Sequence, residues 1–143
     1  FKCQNHLKVI MESAVLLIAL VNVVVGFTFN DTFLMPKLDR QITNEMLEPQ
    51  PGGGPHLLGE AMFFYKNLNA AAELAEGKDK RGEEVYLDFM RDGGPHFIKR
   101  SYDRELMTNT FKWNPDQWQE FTAIVGAVER AWKVLEDNAI KNA

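Results

Sequence analysis

The chain is poor in the residues that mark catalysis and cross-linking. Of its 143 residues, one is cysteine (Cys3), two are serine (Ser13 and Ser101) and three are histidine. A single thiol gives no intrachain disulfide framework. It also gives no Cys-x-x-Cys-His for haem c and no cysteine pair for a structural zinc site. Neither serine lies in a Gly-x-Ser-x-Gly elbow, the strained turn that exposes a hydrolase nucleophile. No Gly-Lys-Ser/Thr follows the glycines at 52–54, so the side chains of a phosphate loop are missing. Neither His56 nor His96 has a glutamate three residues before it, the spacing of a ferritin-like di-iron site. Positive charge is also scarce: 16 Lys+Arg stand against 20 Asp+Glu, a net −4. That balance excludes nucleic acid as a main partner, because duplex binding rests on clustered cations that neutralise phosphates.

What the chain has is apolar and helical. Hydrophobic residues make up 45% and charged residues 25%, which places it among globular proteins and excludes wholesale disorder. The mean hydropathy of −0.27 averages two unlike parts. Ser13 to Asn30 is an 18-residue run with no charged side chain, and 13 of the 18 are apolar. Residues 31–143 hold 14 Lys+Arg and 19 Asp+Glu, a net −5, while residues 1–30 carry a net +1.

Residues 9–29 would span ~31 Å as a helix, one hydrocarbon thickness. The apolar residues lie all round such a helix, as lipid on every side requires. The preferred reading is therefore a single-pass transmembrane helix within an N-terminal segment 1–30. Its one strongly polar residue, Asn22, would be satisfied by a neighbouring helix in a complex. A cleaved signal peptide is disfavoured by the lack of an Ala-x-Ala site. A wholly buried core helix is the third reading. Lys2 and Lys8 on one side balance Lys37 and Arg40 on the other. The short basic N-terminus then tips the orientation toward a cytoplasmic N-terminus.

Beyond residue 30 the spacing predicts an all-α fold: a small bundle of about four helices after the anchor, with 31–54 a short helix and hinge and 55–143 the helical domain. Leu38, Ile42, Met46 and Leu47 recur at helical spacing up to Pro49, before the breaker 50–55. Leu58, Ala61, Tyr65, Leu68, Ala72 and Ala75 mark the inner face of the next helix, which starts at Pro55 and is capped at Gly77. A short helix over 83–90 carries Val85, Leu87 and Phe89 or Met90. Pro95 is expected to open another, with Phe97, Ile98, Tyr102, Leu106 and Met107 facing inward. Asn114-Pro115-Asp116-Gln117 is a capping box with proline at the first position. It starts a last helix of ~40 Å.

Trp118, Phe121, Val125, Val128, Trp132 and Leu135 hold steps of three and four along that helix. Such a stripe packs either inside the bundle or against another chain, and tryptophan is enriched at interface hot spots. With Asn22, these are the candidate partner-binding residues. One phrase recurs: Gly53-Gly54-Pro55-His56 and Gly93-Gly94-Pro95-His96. Its structural reading, a breaker followed by a helix start, outweighs a pair of histidine ligands. Glu84 and Asp88, four apart, complete the weak metal candidates. Lys99, Arg100 and Arg104 form a small basic cluster interrupted by Asp103 and Glu105.

The expectation is a non-enzymatic accessory or assembly subunit of a membrane complex, held in the membrane by residues 9–29 and bound to other protein subunits, with no cofactor. One alternative is a membrane-tethered sensor whose ligand pocket is lined by Phe63, Phe64, Tyr65, Tyr102 and Trp118. Another is a soluble helical subunit in which His56 and His96 bind a cofactor.

Overall fold

A computed structural model describes residues 34–49 and 52–142. The segment 1–30, with the expected 9–29 membrane helix, Cys3 and Asn22, lies outside the described residues. The described chain forms five helices and no strand: α1 Leu34–Leu47, α2 Gly54–Glu76, α3 Lys80–Arg91, α4 Arg104–Phe111 and α5 Pro115–Asn142. No helix among them is long and apolar enough to cross a membrane.

The helix ends follow local chemistry. Asn114 Oδ1 accepts from Gln117 N–H at 2.8 Å and Gln117 Oε1 accepts from Asn114 N–H at 3.0 Å. This reciprocal cap satisfies two donors that the helix start would orphan. Asp79 caps α3 through Arg81 N–H at 3.0 Å, and Asp103 caps α4 through Leu106 N–H at 2.7 Å. At the end of α2, Gly77 is the C-cap, yet the left-handed residue is the next one, Lys78, at φ 59°.

α2 and α5 form the spine of the bundle, and α3 packs on both. Leu57, Ala61, Phe64, Leu68 and Ala71 of α2 are fully buried, as are Phe121, Val128 and Leu135 of α5. A run of touching rings fills the space between them. Phe64 meets Phe89 and Phe97 edge-on, with centroids 6.1 and 5.9 Å apart. Phe97 meets Phe121 at 6.1 Å, and Phe89 meets Trp132 at 5.3 Å. Edge-to-face pairs add about 0.5–1.5 kcal/mol each beyond area burial. α2 and α3 approach closely because the residues between them are small. A Cβ on Gly82 would lie 2.5 Å from the Ala75 nitrogen and 2.8 Å from the Ala71 oxygen.

α1 crosses α2 and α3. It buries Met35 and Ile42 in the same core as residues 57–135, so the short helix of the 31–54 segment packs into the body rather than standing apart.

Two expectations are corrected. No helix begins at Pro95: Gly93 and Gly94 take φ of +91° and +84°, residues 96–99 form a turn, and the helix waits for its cap at Asp103. As a result Leu106 points outward, 65% exposed, while Phe97 is still buried through the turn. On α3 Val85 and Phe89 are buried in the core and Tyr86 packs against it; Leu87 and Met90 are exposed at 40% and 49%.

Candidate functional site

The densest group of ionisable side chains sits at the elbow between α1 and α2. Gln41 and Glu45 are one turn apart on α1, and His56 and Glu60 are one turn apart at the start of α2. Residues at i and i+4 share a helix face. Six residues, 48–53, separate the two helices, and these side chains meet across the gap. Gln41 Nε2 donates to Glu60 Oε1 at 2.8 Å and lies 3.4 Å from Glu45 Oε1. The amide thus holds one oxygen of Glu60 and approaches one of Glu45. Their other oxygens turn to the imidazole: His56 Nδ1 is 3.5 Å from Glu45 Oε2 and 3.7 Å from Glu60 Oε2.

Exposure falls from His56, whose side chain is 65% exposed, to Glu60 at 16%. Glu60 Oε2 is buried and accepts no hydrogen bond from the protein. Burial pushes the Glu60 carboxyl above its ordinary range, the adjacent Glu45 carboxylate adds to the rise, and His56 opposes it. One atom from each of Glu45, His56 and Glu60 lies within 4.8 Å of the others, the spacing at which they can hold one metal ion.

The second locus is structural. Asp39 of α1 is fully buried. Its Oδ2 accepts from His96 N–H at 2.7 Å and its Oδ1 from Phe97 N–H at 2.8 Å. Burial raises its carboxyl above the ordinary value, and the two backbone donors only partly offset this. Thr43 donates to the Asp39 carbonyl at 2.7 Å. Arg40 beside it pairs with the Asp92 carboxylate. A cleft of about 160 Å³ opens there, lined by Arg40, Thr43, Asn44, His96 and Arg100. The second Gly-Gly-Pro-His phrase is therefore a turn that α1 caps from outside. Tyr102 supports it by donating its hydroxyl to the Phe97 carbonyl.

The two histidines join different networks: His56 meets Glu45 and Glu60, and His96 approaches the Asp92 carbonyl at 3.2 Å. Of the acidic pair on α3, Asp88 accepts from Arg91 at 2.9 Å, and Glu84 Oε2 is buried without a hydrogen-bond partner. The stripe on α5 is used within the molecule. Phe121, Val128 and Leu135 are fully buried, Trp132 packs on Phe89 and Tyr86, and Trp118 and Val125 are half-buried against the same core. Of the rings considered as a pocket lining, Phe64, Tyr102 and Trp118 pack on other rings, and Phe63 is 60% exposed.

Sequence reasoning missed Gln41, Glu45 and Glu60, and with them Asp39. A signal existed: two polar i, i+4 pairs flank a Gly/Pro breaker, and a short breaker returns the second helix beside the first. Compared with known protein families, curated proteins and solved structures, the chain matches none.

Proposed function

We propose that this chain is a non-catalytic accessory subunit of a membrane protein complex, tethered by residues 9–29 and contacting other subunits through Asn22 and the outer faces of its helical body. The observation that carries this reading is the division of the sequence: an 18-residue uncharged run stands ahead of an acidic body. No described helix of that body can cross a bilayer. Membrane attachment therefore falls to the run itself.

The body adds a second support. Its α5 stripe closes the molecule's own core, so partner contact belongs to apolar side chains left outside. Leu87 and Met90 lie one turn apart on α3, and both are exposed. A second subunit that covers this pair removes their apolar surface from water, at roughly 25 cal/mol per Å².

Carbonate extraction followed by mild-detergent native electrophoresis tests the reading. The chain is expected to stay in the membrane pellet and to migrate in a complex larger than itself. Leu87→Glu with Met90→Lys should shrink that complex while leaving membrane retention unchanged. Release by carbonate, or migration as a lone chain in detergent, sinks the assignment.

A further inference from the structure

We propose that Glu45, His56 and Glu60 form a binding site for a divalent transition-metal ion, best fitted by Zn²⁺, which clasps the turn between α1 and α2.

The distances distinguish a metal site from an ordinary ion pair. An imidazolium donating to a carboxylate closes to about 2.7–2.9 Å. Here His56 Nδ1 stands 3.5 and 3.7 Å from the two carboxylate oxygens, beyond any useful hydrogen bond. Two ligand atoms on a tetrahedral ion with bonds of ~2.1 Å lie about 3.4 Å apart. The imidazole-to-oxygen separations match the edges of such a tetrahedron.

The second observation is independent of spacing. Glu60 Oε2 is buried, has no hydrogen-bond partner in the protein, and faces His56. An orphaned buried carboxylate oxygen is costly unless something binds it. Of the other two oxygens, Glu60 Oε1 is held by Gln41 Nε2 at 2.8 Å, and the same amide approaches Glu45 Oε1. An outer donor that fixes ligating carboxylates in this way is characteristic of built metal sites.

The donor set selects the ion. One imidazole nitrogen with two carboxylate oxygens suits Zn²⁺, whereas Mg²⁺ and Ca²⁺ favour all-oxygen shells of six or more ligands. Three protein ligands leave the fourth position of a tetrahedral ion to water. Because α1 supplies Glu45 and α2 supplies the other two, the ion would bridge the Pro/Gly-rich turn and hold the helices together.

The test is calorimetric titration of the full chain in detergent with Zn²⁺, with Mg²⁺ in parallel and Co²⁺ as a visible-absorption probe. The proposal expects one Zn²⁺ per chain, no Mg²⁺ response, and a tetrahedral Co²⁺ band displaced by Zn²⁺. Glu60→Gln and His56→Gln should each abolish binding, and Gln41→Ala should weaken it about tenfold. Glu60→Gln keeps the side-chain shape, and far-UV circular dichroism verifies its fold. Should it fail to fold, His56→Gln at the exposed ligand decides alone. Cys3→Ser with His6→Gln should leave binding intact, as should His96→Gln. The proposal is overturned by absent Zn²⁺ binding, by binding that survives His56→Gln, by loss of binding in Cys3→Ser/His6→Gln, or by equal affinity for Mg²⁺.

Discussion

Two glycines inside helices should answer the same substitution with opposite signs. Gly59 lies on the exposed side of α2, and a Cβ there meets nothing within 4 Å. Gly59→Ala removes backbone freedom from the unfolded chain and adds helix propensity, so it should stabilise by about 0.5–1 kcal/mol. Gly82 gains the same propensity, but its new Cβ would sit 2.5 Å from the Ala75 nitrogen and 2.8 Å from both the Ala71 oxygen and the Ala75 Cα. All three atoms are backbone of α2, so no side chain can rotate away. Ordinary contact begins at 3.4 Å, so α3 must withdraw by about 0.6–0.9 Å, and a gap of that size forfeits a quarter to a half of each dispersion contact across it. Overpacking of this kind costs about 1–3 kcal/mol. The upper end applies, because the shift also moves Val85 and Phe89. After the propensity gain, Gly82→Ala should lose about 2 kcal/mol. At about 4 °C per kcal/mol for a body of this size, that lowers the Tm by roughly 8 °C, while Gly59→Ala raises it by roughly 2–4 °C. Thermal and urea melts followed by circular dichroism measure both. A Gly82→Ala protein as stable as the parent would refute the close approach of α2 and α3.

Asp39→Ala leaves the His96 and Phe97 N–H groups unpaired and should cost about 2–6 kcal/mol in urea titration, with Asp39→Asn, which keeps one acceptor, about half as damaging. Because burial raises the Asp39 carboxyl, its contribution to stability is complete below the ordinary aspartate value of 3.8 and declines as pH rises through the folded-state value. Asp39→Asn should remove that slope from a plot of unfolding free energy against pH. Asp79 has the opposite sign. Arg81 holds its carboxyl down to about 2, so its stabilisation is present above 3.8 and lost as pH falls toward 2. Asp79→Ala should cost about 1 kcal/mol at neutral pH, the worth of an N-cap, and should flatten the acid limb of the pH–stability curve. Phe64→Ala, at the meeting point of the ring network, should cost about 3–5 kcal/mol and broaden the thermal transition.

The legible parts of the fold were those decided within one helix. The capping box at Asn114 and Gln117 needs only a four-residue span, and the α2 stripe needs only its own period, so both could be read directly. The start of α4 could not. Pro95 satisfies the local rule for a helix start, but the N–H groups after it are taken by Asp39, which is more than fifty residues away in sequence. Spacing alone places Leu87, Met90 and Leu106 in the interior, because a short apolar helix has several plausible faces. Only the positions of α2 and α5 choose among them. The elbow cluster was missed for the same reason: His56 was a candidate, yet its partners are Glu60 on its own helix and Glu45 beyond the hinge. Neither acid stands out as a single residue.

Asp39 also gives the molecule a mechanical path. Asp39 belongs to α1, the first described helix, so a pull on the N-terminal end of that helix enters the body along it. Asp39 lies in the second turn of α1, and its two bonds to the 96–97 backbone are among the first long-range polar links that such a pull meets. They join α1 to the turn that seats the buried Phe97 ring in the core. A load that breaks them would release the turn and its ring together, so a pull on α1 would be felt first in the interior.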